Sequence, residues 1–415
     1  NDNVVDAASA IAVGETNVAT AATVVGDANS GVAASADGRI NVATAATVVG
    51  DNNSGVTADA DGSVNVVTAA TAVFDGNQAI SASATGDTNV ATAATVVGNA
   101  NSGITAASEG ATNVATAATV VGDNNTGAIL AKATGDTNVA TAATVVGDGN
   151  AGVLASAQGV RNIATAATVV GNDNVVDAAS AIAVGETNVA TAATVVGDAN
   201  SGITAASDGA TNVATAATVV GDNNTGAILA KVTGDTNIAT AATVVGDGNA
   251  GVLASAQGVR NIATAATVVG NDNVVDAASA IAVGETNVAT AATVVGDANS
   301  GVAASADGRI NVATAATVVG DNNSGVTADA DGSVNVVTAA TAVFDGNQAI
   351  SASADGDTNV ATAATVVGNA NSGVVAGSVG DTNIATAATV VGDGNAGVLA
   401  SAQGVRNIAT AATVV

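Results

Sequence analysis

One string governs what this chain can fold into. NVATAATVVG, or a close variant, returns 17 times in 415 residues. Its first Asn falls at Asn17, Asn41, Asn65, Asn89, Asn113, Asn138, Asn162, Asn188, Asn212, Asn237, Asn261, Asn287, Asn311, Asn335, Asn359, Asn383 and Asn407. Most steps are 24 residues; two are 25 (Asn113 to Asn138, Asn212 to Asn237) and two are 26 (Asn162 to Asn188, Asn261 to Asn287). A fixed period of this size marks a repeat architecture in which each unit buries its apolar face against the next.

A second Asn follows the first by 12 residues, as at Asn29, Asn53, Asn77, Asn101, Asn125, Asn150 and Asn174. Each unit therefore has two halves, NVATAATVVGDA and NSGVAASADGRI in the first clear case. Every insertion falls in the second half, and the first never changes length. The structural period is thus 24 residues rather than 12, and residues 1–415 read as a single repeat array. Above it lie duplicated blocks, with NDNVVDAASAIAVGETN starting at Asn1, Asn172 and Asn271. No distinct capping sequence is visible, so the expectation is a longer natural chain or ends covered by neighbouring copies. The start at Asn1 rather than Met fits a mature product or a piece of something longer.

Strand fits better than helix. VATAATVV is β-branched, of strand length, and closed by Gly, Asp and Asn turn residues. Those turns return about every 12 residues, which leaves too little room for a stable isolated helix. The composition agrees. Hydrophobic residues make up 48%, almost all Ala, Val and Ile, and the chain has two Phe and no Pro, Cys, Met, Trp, Tyr or His. Such side chains fill a thin core between closely spaced backbones. The expected fold is all-β, a β-solenoid with about 24 residues and two strands per coil, stacked at about 4.8 Å.

Period-two alternation places Asn17, Ala19, Ala21, Thr23 and Val25 on one face and Val18, Thr20, Ala22 and Val24 on the other. In the second half it groups Asn29, Gly31, Ala33 and Ser35 against Ser30, Val32, Ala34 and Ala36. The Asn-bearing faces are expected inside, as a structural ladder through Asn17, Asn29, Asn41, Asn53, Asn65, Asn77, Asn89 and Asn101 whose amides bond along the stack. The alternative is ordinary turn residues with solvated side chains. The opposite face then carries a stripe of Val18, Val24 and Val32, which is either the true core or a surface for lateral bundling of rods.

Thirty-five acidic residues against 7 basic give a formal net charge of -28, which argues against nucleic acid or anionic membrane as partner. No apolar run is long enough to span a bilayer. Asp27, Asp51, Asp123 and Asp148 follow the Gly that closes the first strand; Asn99 and Asn172 replace Asp, and Phe74-Asp75-Gly76 breaks the pattern. Stacked carboxylates repel unless screened or shared by a cation. Two readings stay open: a solvated acidic rim, or a cation ladder suited to Ca2+. Lys132, Lys231, Arg39, Arg161, Arg260, Arg309 and Arg406 are expected to pair with carboxylates on adjacent coils, and Phe74 and Phe344 to cover turns. With every carboxylate repeated and no His, Cys or Tyr, no catalytic constellation of unlike groups is present. The chain reads as no enzyme.

The spacing G-x-x-N-x-A, as in Gly14 to Ala19 (GETNVA) and Gly86 to Ala91 (GDTNVA), resembles the curlin repeat of bacterial curli fibres. Asn17 and Asn89 stand at the motif Asn, Ala19 and Ala91 at the motif Ala. Curlins are secreted subunits that form a two-sheet β-solenoid and polymerise end to end into the amyloid fibres of biofilm matrix. The resemblance therefore implies a secreted, self-associating structural subunit at the cell surface, with matrix or surface components as further partners. The chain departs from the family where curlins carry an inward Gln six residues after the Asn; here stand Thr23, Thr47 and Thr71. The string SAIAVG at Ser9 to Gly14 is similar to head repeats of trimeric autotransporter adhesins, so the stalk or repeat region of a large adhesin is an alternative. Solenoid ice-binding proteins also use Thr ladders, but Thr20 and Thr23 lie three apart and are expected on opposite faces.

Overall fold

Val and Thr are stiff at χ1 and suit a pleated, half-buried surface. Gly and Asn relieve the chain at each reversal. In the computed structural model of the chain these preferences produce an all-β solenoid of roughly 24-residue coils, with no helix among the described residues. The structure describes the chain except residues 1–7, 29–30, 53–54, 74, 76–79, 101–102, 126–128, 225–227, 300, 324, 344, 347–349, 371–372 and 395–396; for 175–178 and 274–277 it describes the backbone alone. The chain divides into two units, Asn1–Gly209 and Ala210–Val415.

In the first unit, successive coils form parallel ladders in which like pairs with like. Ile80–Val97 pairs with Ile104–Val121, matching Ile80 to Ile104, Asn89 to Asn113, Thr92 to Thr116 and Val96 to Val120. The second unit repeats the arrangement, with Asn287 matched to Asn311 and Val294 to Val318. Most coils run through the corner Gly as one long strand, such as Val32–Val49. In others the strand divides there, as into Val56–Asp61 and Val64–Val73.

The alternation of burial corrects the expected facing. Asn41, Ala43 and Ala45 point inward, but Ala46 and Thr47 both face out before Val48 turns in and Val49 out. Ala46 also has no ladder partner, while Ala45 and Thr47 pair with Ala69 and Thr71. Thr23 and Val25, expected inside, are accordingly exposed, and Val24 is buried. The second half is inverted relative to expectation after Gly31. Val32, Ala34 and Ala36 are buried, while Ala33 and Ser35 are half-buried. Strict period two failed because one step of each half does not alternate. The expected stripe of Val18, Val24 and Val32 therefore does not exist as a surface; the outward valines are those aligned with Val18 and Val25.

The core is thin and made of Ala, Val and Ile. Its volume is held coil by coil. Where Val67 replaces the usual Ala, Ala72 replaces the usual Val, and both are fully buried; Val337 and Ala342 repeat the exchange. Such a swap leaves the summed side-chain volume unchanged, which a close-packed interior tolerates best.

Insertions leave the ladders intact. Val175 pairs with Ala151 and Ala179 with Val153, so two additional residues bulge between those pairs and register then resumes. The second unit does the same between Val274 and Ala278. In the 25-residue coil, Ile129 still meets Ile104.

Candidate functional site

The feature that organises each coil is the corner Gly-x-x-Asn. Gly38 adopts φ 156°, and a Cβ there would lie 1.6 Å from the Gly14 carbonyl oxygen and 2.3 Å from Asn17 Nδ2. Only glycine fits. Removing the side chain lets Asn17 occupy the space beneath. Its Nδ2 donates to Gly14 O at 2.8 Å, to Asp37 O at 2.7 Å and to Asn41 Oδ1 at 2.8 Å.

The next coils copy this set. Asn41 Nδ2 donates to Asn65 Oδ1, Asn65 to Asn89, and Asn89 to Asn113, at 2.8, 2.8 and 3.0 Å. In the second unit Asn287, Asn311, Asn335 and Asn359 each donate to the Oδ1 of the next Asn. These amides are buried, and a buried polar group is costly unless bonded. Here one side chain satisfies two corner carbonyls and joins two coils.

Of the second-half asparagines, Asn29, Asn53, Asn77 and Asn101 lie outside the described residues. Their counterparts form another inner column. Asn125 Nδ2 donates to Asn150 Oδ1 at 2.9 Å, and the Asn150 amide N–H donates to Asn174 Oδ1 at 2.8 Å. Ser108, unnoticed in the sequence, is also buried and donates to Asn113 Oδ1 at 3.2 Å.

The acidic column has a specific backbone role. The Asp51 N–H donates to Asp27 Oδ1 at 3.0 Å, and the Asp75 N–H to Asp51 Oδ1 at 3.1 Å. The column continues from Asp75 to Asn99, from Asn99 to Asp123, and from Asp123 to Asp148. Asp75 thus keeps its place, and the Phe74 substitution does not interrupt the column, although Phe74 and Phe344 themselves lie outside the described residues. Asp and Asn interchange because the column needs an acceptor oxygen, which both supply. That interchange was the signal in the sequence. Among the described residues no group of three or more Asp or Glu is placed to hold a metal ion.

Two of the arginines bond hydroxyls. Arg161 Nη2 donates to Thr137 Oγ1 at 3.2 Å, and Arg260 Nη2 to Thr236 Oγ1 at 3.1 Å. Each bonds a hydroxyl on the preceding coil. Lys132 and Lys231 stand outward on the second half-coil, in register with Ser156 and Ser255.

The two outer surfaces differ in kind. On the first half-coil the outward positions are Val or Ile, Thr, Ala, Thr and Val throughout, so Thr44 and Thr47 lie on the same side. On the second half-coil the outward positions vary among Thr57 and Asp59, Ser81 and Ser83, Thr105 and Ala107. Comparison with known protein families, curated proteins and solved structures finds no match to the chain.

Proposed function

We propose that this protein is the structural subunit of an extracellular filament or cell-surface matrix, assembling by end-to-end stacking of coils. The observation that carries the reading is the asparagine ladder. Each coil offers Nδ2 donors toward the next coil and Oδ1 acceptors toward the preceding one, and like residues meet in register. A coil of a second copy presents the same pattern, so stacking across chains would reuse contacts already present within one chain. The resemblance of GETNVA and GDTNVA to the curlin repeat supports the same reading and carries the expectation of secretion. Cryo-electron microscopy of the native assembly tests it. Coils continuing from one chain into the next at about 4.8 Å are expected; a discrete particle whose array ends in an unlike domain would favour an adhesin stalk instead.

The outward pairing of Thr44 with Thr47 favours a second reading, a regular hydroxyl surface that orders water or ice. It removes the objection drawn from their spacing. Ice-recrystallisation assays of the full chain test it, with activity expected to fall when both threonine columns are replaced by Val.

A further inference from the structure

We propose that the outward Val-Thr-Ala-Thr-Val face of the first half-coil is a side-by-side docking surface for a second copy of this chain. This deepens the filament reading and rests on it. Charge is the first argument. The chain carries -28, yet no unit has a charged residue between its first Asn and the end of that strand. On the second half-coil, approach would set outward carboxylates such as Asp59 and Asp61 against their copies, and like charges repel. The first face allows contact without that cost.

Apolar exposure is the second. Val49, Val73, Val97, Val121, Val146 and Val170 form one column, each between 36% and 42% exposed. Continuous patches of this kind mark interaction sites, whereas scattered single valines do not. The third is area. In the first unit eight coils at about 4.8 Å, each presenting nine residues at about 3.3 Å, make a face of about 1,100 Å². A stable interface needs about 800 Å² per partner. The side chains are short and branched, so little rotamer freedom is lost on contact. The occupant follows from periodicity. A surface repeating the same five residues in every coil offers no unique pocket to an unlike protein, while a second copy matches its axial spacing throughout.

The test uses the full chain. Thr68→Asp, Thr92→Asp and Thr116→Asp place three charges on the face; Thr57→Asp, Ser81→Asp and Thr105→Asp add the same charge to the other side. Filament width is read by cryo-electron microscopy. Wild type and the second variant are expected to form laterally paired filaments, and the first variant single ones, with lateral affinity lowered at least about 100-fold. Should the first variant fail to fold by circular dichroism, Val97→Thr, Val121→Thr and Val146→Thr replace it, with weaker pairing expected. Single filaments in wild type, or pairing unchanged in the face variants, overturn the inference; single filaments whose face variants lose ice activity assign the face to ice. If wild type forms no filament, the filament reading falls, and sedimentation then decides the inference. A dimer lost in the face variants keeps it, and a wild-type monomer overturns it.

Discussion

The two halves of each coil bury the same kinds of side chain but tolerate change very differently. In the first half the interior is Asn, Ala, Ala and Val, altered only by the compensated exchange at Val67 and Ala72 and its repeat at Val337 and Ala342. Its length is fixed and its outward residues barely vary. The second half absorbs two additional residues in a bulge before Ala179 and changes its outward charge from coil to coil. Internal packing explains the constant interior, because the corner Asn must meet two carbonyls and another amide at once. It does not explain constancy on the outside. The second half varies on its outward side, so the constancy of the first face accords with the lateral contact proposed for it.

Breaking the corner should have the largest effect. Gly110→Ala brings a Cβ within 1.4 Å of the Gly86 carbonyl oxygen, and a loss of about 4 kcal/mol or more is expected. Ser83→Asp, outward on the second half, should stay within about 0.5 kcal/mol. Urea titration of both variants checks the contrast; equal losses would remove the distinction between the halves. Asn113→Leu comes next. It strands the Gly110 carbonyl, which Asn113 Nδ2 now meets at 2.6 Å, and removes the side-chain bond to the Thr134 carbonyl at 2.7 Å. A loss of about 3 kcal/mol is expected, with amide exchange accelerated first in that coil and its neighbours.

The volume exchange sharpens the comparison within the core. Val67→Ala alone should cost about 1 to 2 kcal/mol by leaving a void, and Ala72→Val alone a similar amount by overpacking. Together they should restore most of the stability, which a double-mutant cycle reads. Additive losses would show that the two sites do not share space. The acidic column should prove least sensitive. Asp123→Asn is expected to be neutral, since Asn99 already performs the same bond, while Asp123→Ala should cost about 1 kcal/mol by removing the acceptor for the Asp148 N–H. Finally, Ala199 holds φ 56° where Gly149 holds φ 65°. Ala199→Gly should therefore raise thermal stability by about 1 kcal/mol, as glycine enters this region without the Cβ clash.

The period, the strands and the solenoid were legible because spacing and turn residues are local signals that every coil repeats. Facing was legible only in part. Asn17, Ala19 and Ala21 follow simple alternation, but the unpaired step at Ala22 and its equivalents shifts everything after it. Nothing in Ala-Ala-Thr announces that step. The second half inverts after Gly31, whose φ of 88° re-aims the chain in a way residue type alone does not fix. The backbone role of Asp27 and its column does not depend on charge, since Asn99 accepts the same bond as Asp27, and only the Asp-to-Asn exchanges mark it in the sequence.

The asparagine column has one more consequence. Backbone amides in a parallel ladder point alternately along the stack, and their dipoles largely cancel. The Asn amides do not alternate. From Asn17 to Asn41 to Asn65 every one donates in the same sense, so their dipoles add, and neighbouring amides polarise each other. Each stack of coils therefore carries an electrical direction as well as a chain direction. Two stacks lying side by side lower their field energy by running head to tail, which makes an antiparallel pair the expected arrangement.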